Sequence, residues 1–329
     1  MVDMLAVVPE ATAEGPAPCL RDAPDPAPGP GELAIAVRAT ALNQADLLQL
    51  RGHYPPPPGE SDVPGLECAG VVAELGEGTG GFRLGDRVMA LLGGGGHATR
   101  AVAPVGQVMP LPENLSFAEG AALPEACLTA WTNLVVEGGL RPGETVLVTG
   151  ATGGMGTMAV QIARELGALV VAAGRSATSL QALAAYGIEK RVILDGALVA
   201  RVLAVTGDRG VDLVFDLVGG PYLPRLLETL AIGGRLVLVG LSAGARSEID
   251  LRVLLHRRLR LVGSVLRPRS RAEKAALVAG FGAFGLPRLA DGRLRPVVAE
   301  VLPFQRVAEA YRRLQAGGVA GKVVLTLEP

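Results

Sequence analysis

Residues 145–175, TVLVTGATGGMGTMAVQIARELGALVVAAGR, hold the pattern that decides the fold. Val146, Leu147 and Val148 form a short apolar run of strand type. A glycine-rich turn follows, and Met155, Ala159, Ile162 and Leu166 then recur at helical spacing on one face. A second apolar run, residues 169–173, closes the unit. The turn reads A-x-G-x-x-G through Ala151, Gly153 and Gly156, with Gly154 and Met155 enclosed. In a strand–turn–helix–strand unit, such small residues permit a tight turn, close approach of backbone to a pyrophosphate, and close helix–strand packing. Unpaired N–H groups at the helix start then favour an anion. A bound dinucleotide is expected here.

The end of the second strand bears on which dinucleotide. Proteins that hold an unphosphorylated ribose usually place an Asp or Glu about 20 residues past the glycines. Here the strand ends in Gly174, Arg175 and Ser176, with no carboxylate in reach. A carboxylate would repel a 2′-phosphate, whereas Arg175 can bind one through charge-assisted hydrogen bonds. NADPH is therefore the expected cofactor; the alternative reading makes Arg175 a solvated surface arginine.

Composition bounds the remaining possibilities. The 329 residues suffice for two domains with real cores, and 49% hydrophobic against 19% charged content marks a well-buried globular chain. A net charge of −1 leaves no electrostatic footprint for nucleic acid or an anionic membrane. No apolar run approaches the ~18 residues that span a bilayer. The start, MVDMLAVVPEA, reads as a first strand rather than a leader. Three scattered cysteines, Cys19, Cys68 and Cys127, supply no disulfide framework and suit a reducing, cytoplasmic compartment.

Outside the nucleotide unit, MLAVV, LAIAVRATAL, GLECAGVVAEL and DRVMALL read as strands separated by Gly/Pro turns, and residues 43–51 as a short helix opened by Asn43. Ser116 and Glu119 form a capping box that starts helical turns interrupted by Pro124. A longer helix through Thr129 is expected to follow and to end near Gly138. Strands are then expected at 145–149, 169–173, 191–195, 211–217, 235–240 and 259–266, six in all, as in a doubly wound parallel sheet. The tail after residue 270 (helix, strand near 297–302, helix 306–316, strand KVVLTL) does not extend that series and is expected to return to the first domain.

This order, with the segments ALNQADLLQLRGHYPPPPG (41–59), GLECAG (65–70), LPEACLTAW (123–131), TGATGGMG (149–156), GSVLRPR (263–269) and GKVVL (321–325), resembles the medium-chain dehydrogenase/reductase superfamily over essentially the whole chain. Within it the chain is most similar to the zinc-independent, zeta-crystallin-like quinone oxidoreductases, in particular the tumour-suppressor-inducible group. The resemblance implies a GroES-like catalytic domain (1–122 and 269–329) and a Rossmann NADPH-binding domain (123–268). It also implies a homodimer joined along the sixth strand. Zinc alcohol dehydrogenases carry G-H-E-x-x-G, but Leu66 stands at the histidine position and cannot ligate a metal. Without a Lewis acid, an acceptor that is already electrophilic, such as a quinone or activated alkene, is expected.

The same resemblance puts Asn43, Asp46 and Tyr54 on the substrate side. Tyr54 would donate its phenol proton to the acceptor oxygen, and Asn43 would orient that oxygen through its NH2 or serve only as a helix cap. Asp46 reads more readily as structural. Thr129, the Gly240-Leu241 turn, Arg267 and Lys322 would touch the cofactor. The competing readings are a back-bonded helix threonine, a rim arginine and a surface lysine. Only Lys190, Lys274 and Lys322 are lysines in this arginine-rich chain. Two rival activities share these features: an enoyl-thioester reductase, and a non-catalytic NADPH-binding module.

Overall fold

A computed structural model describes residues 3–13 and 15–327; Met1 and Val2 of the expected first segment lie outside them. The chain divides into two units, one comprising Met1–Leu128 with Arg267–Pro329 and the other Thr129–Leu266.

The first unit holds β1 (Asp3–Thr12), β2 (Gly15–Pro24), β3 (Glu32–Ala41), α1 (Gln44–Leu50), β4 (Glu67–Leu75), β5 (Arg87–Leu91), β6 (Arg100–Pro104), β7 (Val108–Pro110) and α2 (Phe117–Ala121). Helix α3 (Pro124–Trp131) runs across the border into the second unit. Strand β2 carries Pro16, Pro18 and Pro24, which argue against a strand in the sequence. It forms because it pairs only with β1 in a two-stranded sheet, so one side needs no ladder donors. Strand β3 is the opposite case. Its LAIAVRATA run is mostly buried and pairs with β4, β6 and a strand of the returning tail.

The second unit holds β8 (Thr145–Val148), α4 (Gly154–Glu165), β9 (Leu169–Gly174), α5 (Ala177–Gln181), β10 (Lys190–Ile193), α6 (Leu198–Thr206), β11 (Val211–Asp216), α7 (Leu223–Glu228), β12 (Leu230–Leu238), α8 (Leu251–Arg257) and β13 (Arg260–Gly263). The sheet order is β10-β9-β8-β11-β12-β13, parallel throughout, which is the doubly wound order with its switch point beside β8. All six expected strands are present. β12 starts five residues earlier than 235, at Leu230, because Gly233 (φ +78) lets the chain pass a register shift opposite Val211 and Leu213. β8 is wholly buried, as a strand covered on both faces requires.

The tail forms α9 (Arg271–Ala290), β14 (Val298–Pro303), α10 (Val307–Ala316) and β15 (Lys322–Thr326). β15 pairs antiparallel with β3, and β14 parallel with β15, so the tail completes the first unit's seven-stranded sheet. Val323 and Leu325 join Leu33, Ile35 and Tyr311 in that unit's core.

Candidate functional site

In the first unit the returning tail delivers a charge to a buried acid. Lys322 Nζ lies 2.6 Å from Glu67 Oε1 and 2.6 Å from Asn43 Oδ1. The Lys322 and Glu67 side chains are 6% and 0% exposed. Asn43 Nδ2 donates to the same Glu67 oxygen at 2.9 Å, and Glu67 Oε2 accepts from the backbone N–H of Glu125. Lys322 pairs its charge with Glu67, because a carboxylate this deep needs a counterion. Asn43 has its carbonyl and its amide committed to Lys322 and Glu67, so its NH2 is not free to orient an acceptor oxygen.

Asp46 is held by backbone donors on two segments. Its carboxylate is fully buried, accepts from the backbone N–H of Asn43 at 2.7 Å and from that of Gly65 at 3.1 Å, and thereby ties the start of α1 to the segment leading into β4. Asn43 stands at the N-cap of α1, and Asp46 at the third helical position closes a capping box with it. His97, also buried, sits 3.0 Å from the Tyr311 hydroxyl through Nδ1 and 3.8 Å from Asp46 through Nε2.

Tyr54 is held by Arg267. The guanidinium donates to the Tyr54 carbonyl at 3.0 Å and lies 5.1 Å from the centre of its ring, while its other nitrogens bond Gly93 O and Gln49 Oε1. Arg267 is 4% exposed, which excludes the rim-arginine reading. Burial pushes the Tyr54 phenol above its ordinary pKa, the Glu125 carboxylate adds to the rise and Arg267 opposes it. The group therefore stays a proton donor through neutral pH. Burial pushes the Cys68 thiol up to about 12 and the Cys127 thiol well above its usual value, so neither is a nucleophile.

In the second unit the glycine turn has the shape that a pyrophosphate needs. A Cβ on Gly156 would fall 2.2 Å from Gly150 O and 2.6 Å from Ala151 Cα, so only glycine lets α4 sit this close to the turn. Gly150 has φ +59, and Ala151 N donates to Ala173 O, joining the turn to β9. Helix α4 is capped by Gly153 with no side-chain oxygen on its first N–H groups. The backbone N–H groups of Gly154, Met155 and Gly156 have no partner among the described residues. These residues fit a dinucleotide phosphate.

Gly174 ends β9; Arg175 and Ser176 follow it, exposed, with Ser176 capping α5. The Arg175 guanidinium has no hydrogen bond or ion pair among the described residues. Asp195, the nearest acid beyond the third strand, is already spent: its carboxylate bonds Ala197 N–H and Arg201, which together hold its pKa down. Gly240 packs against Leu217 O, where a Cβ would come within 2.6 Å, and Leu241 is 51% exposed beside it. Thr129 is buried and its carbonyl accepts from Asn133 Nδ2.

Sequence reasoning missed Asp216, the last residue of β11. Fully buried, it accepts from Thr149 Oγ1 at 2.7 Å and from the N–H groups of Val218 and Gly219, while its carbonyl accepts from Val239 and Gly240. It thus fixes three loops at the carboxyl edge of the sheet, where ligands of this fold bind. The available signal was an acid closing an apolar strand just before Gly219 and Gly220. Among the described residues no three His, Cys, Asp or Glu side chains are grouped to hold a metal ion, and no helix is long and apolar enough to cross a membrane.

A doubly wound nucleotide fold joined to a mixed sheet completed by the chain's own tail defines a pyridine-nucleotide oxidoreductase of the medium-chain type. Two family models match: the alcohol dehydrogenase GroES-like domain over residues 29–113 and the zinc-binding dehydrogenase domain over residues 154–279. The human synaptic vesicle membrane protein VAT-1 homolog is 32% identical over 323 residues (94% of this chain, 82% of that protein). Human quinone oxidoreductase is 31% identical over 321 residues, covering 92% of this chain and 91% of its own. The quinone oxidoreductase from Thermus thermophilus, solved also in complex with NADPH, superposes with a TM-score of 0.82 at 38% identity, covering 98% of this chain and 100% of that one. The chain belongs to the zinc-independent quinone oxidoreductase family of the medium-chain dehydrogenases/reductases.

Proposed function

We propose that this protein is an NADPH-dependent quinone oxidoreductase. The observation that carries the reading is Tyr54, a phenol kept protonated by burial and immobilised by Arg267. When bound, NADPH supplies a hydride. The N–H groups of residues 154–156 would hold its pyrophosphate, Arg175 its 2′-phosphate, and the Gly240-Leu241 turn and Thr129 its nicotinamide end. Tyr54 donates a hydrogen bond to the acceptor's carbonyl oxygen and passes its proton there as negative charge develops. Leu66 offers no lone pair to a metal, so oxidation of a plain alcohol has no Lewis acid at that position. The apolar edge carrying Leu251, Leu255 and Leu261 (62%, 75% and 41% exposed), beside the unpaired side of β13, is the surface on which two copies would join, and the three free cysteines suit the cytoplasm.

The test is oxidation of NADPH by the purified protein with 1,4-naphthoquinone against a crotonyl thioester. Turnover of the quinone at least tenfold above the thioester supports the reading. Preference for the thioester makes the protein an enoyl-thioester reductase, and tight NADPH binding without any turnover makes it a binding module.

A further inference from the structure

Arg267 is 4% exposed, yet every acceptor it has is neutral. Its Nε donates to Gly93 O at 2.8 Å, one terminal nitrogen to Tyr54 O at 3.0 Å and the other to Gln49 Oε1 at 2.6 Å. These oxygens belong to three segments of the first unit: the glycine run after β5, the turn after α1, and α1 itself. Gln49 is held in turn by its amide, which donates to Asp62 O at 2.9 Å and leaves the oxygen for the guanidinium. Arg267 has no ion pair among the described residues; Asp46, Glu60 and Glu125 act on its charge without pairing with it, and burial opposes that charge. The guanidinium carbon lies over the Tyr54 ring, 5.1 Å from its centre. The Tyr54 hydroxyl has no hydrogen-bond partner among the described residues, and Pro55 restricts the backbone that carries it.

A buried guanidinium without a carboxylate costs stability that three neutral oxygens offset only in part. Neutral donors could tie the same segments together without that cost, so the positive charge needs a separate reason. Tyr54 supplies it, as the one group touching Arg267 that turns negative on giving up a proton. We propose that Arg267 is a positioning residue for Tyr54: its planar fork fixes the ring, and its uncompensated charge balances the phenolate left when the proton passes to the acceptor. That role rests on the reading of Tyr54 as the proton donor of an acceptor reductase. An acceptor that has taken a hydride carries a negative oxygen. The Tyr54 O–H bond breaks, the proton forms a new O–H bond on that oxygen, and the electron pair stays on the phenol beside the guanidinium. A proton from water then restores the phenol and leaves hydroxide to the solvent. The guanidinium–ring contact strengthens as the ring becomes anionic, so it favours the reacting state over the resting one. Of the charges acting on Tyr54, Glu125 disfavours that anion and Arg267 alone favours it.

The test is a fluorine NMR titration of the full-length, cofactor-free protein carrying 3,5-difluorotyrosine at position 54, a phenol acidic enough to titrate where the fold survives. In Arg267→Gln its midpoint is expected to rise by roughly one pH unit or more, since a cation beside the anion is gone. Arg267→Lys, which keeps the charge and loses the fork, is expected to give back at least half of that rise. Arg267→Met replaces the glutamine variant should it not fold. A midpoint that stays put or falls in Arg267→Gln, or an equal rise in Arg267→Lys, overturns the inference. Kinetics give a second readout. Arg267→Gln is expected to lower kcat for 1,4-naphthoquinone at least roughly tenfold in the wild-type background, but less than about twofold in Tyr54→Phe. A tenfold loss in both backgrounds means that Arg267 does not act through Tyr54 and overturns the inference. Absence of quinone turnover by the wild type would refute the proposed activity, while the fluorine titration, which needs neither cofactor nor acceptor, still decides whether Arg267 governs the Tyr54 phenol.

Discussion

Replacing Lys322 by methionine isolates the interaction on which the first unit's candidate site is built. Methionine nearly preserves the volume of the lysine stem, so the change removes charge and two hydrogen bonds with little loss of packing. What remains is Glu67, fully buried, still accepting from Asn43 Nδ2 and from Glu125 N–H but without a counterion. Removing one member of a buried pair costs about 3–5 kcal/mol, because the other charge stays desolvated. Against a total stability of roughly 5–15 kcal/mol, that is a large share. Glu67→Gln strands the ammonium instead and should cost a similar amount, whereas Lys322→Met combined with Glu67→Gln leaves no charge to strand. The double variant should therefore lie within about 2 kcal/mol of wild type, giving a coupling of several kcal/mol in the double-mutant cycle. Urea unfolding followed by far-UV circular dichroism measures all four proteins. A Lys322→Met variant within about 1 kcal/mol of wild type, or strictly additive single variants, would show that Lys322 and Glu67 do not act as a coupled buried pair.

Four other variants have outcomes that follow from the structure. Gly156→Ala drives a Cβ into the backbone of Gly150 and Ala151 and should cost about 1–3 kcal/mol, together with at least tenfold in NADPH affinity. Gly153→Ala, whose Cβ meets only Gly150 O at 3.6 Å, should leave thermal stability nearly unchanged. Tyr54→Phe should lower kcat for quinone by roughly a hundredfold with KM little altered, since a proton donor and not a binding surface is lost; equal kcat in stopped-flow assays contradicts it. Burial raises the Asp216 pKa above its ordinary 3.8, so the folded state binds its proton more tightly than the unfolded state does. The stability this confers is full below 3.8 and is lost as pH rises through the raised value. Asp216→Asn should flatten that part of the pH–stability profile, which melts in acidic buffers would record.

How much of this was readable in advance depended on whether the signal was local. The nucleotide unit was legible because its turn, helix face and flanking strands lie within 31 consecutive residues, from Thr145 to Arg175. Its six parallel strands followed from repeated apolar runs, with β12 misjudged at its start because Gly233 and Gly234 look like a turn but accommodate a bulge. β2 escaped because its prolines are tolerated only by a strand with one partner, which the sequence does not reveal. The site showed a similar division. Arg175 and the glycines carry their meaning in their neighbours, whereas Lys322 acquires its role from Glu67, 255 positions away, and Asn43, 279 away. Scarcity drew attention to Lys322, but no sequence spacing says that a lysine on the last strand meets an acid on β4.

Arg175, exposed and without a partner among the described residues just past β9, is proposed to select a phosphorylated nicotinamide cofactor. Steady-state kcat/KM for NADPH and NADH, measured with 1,4-naphthoquinone in wild type and Arg175→Ala, tests it most directly. A charge-assisted contact worth about 1.5–3 kcal/mol predicts a preference for NADPH of roughly 10- to 150-fold that collapses in the variant, with NADH use unchanged. Equal use of the two cofactors by the wild type, or a preference untouched by loss of Arg175, would contradict the account.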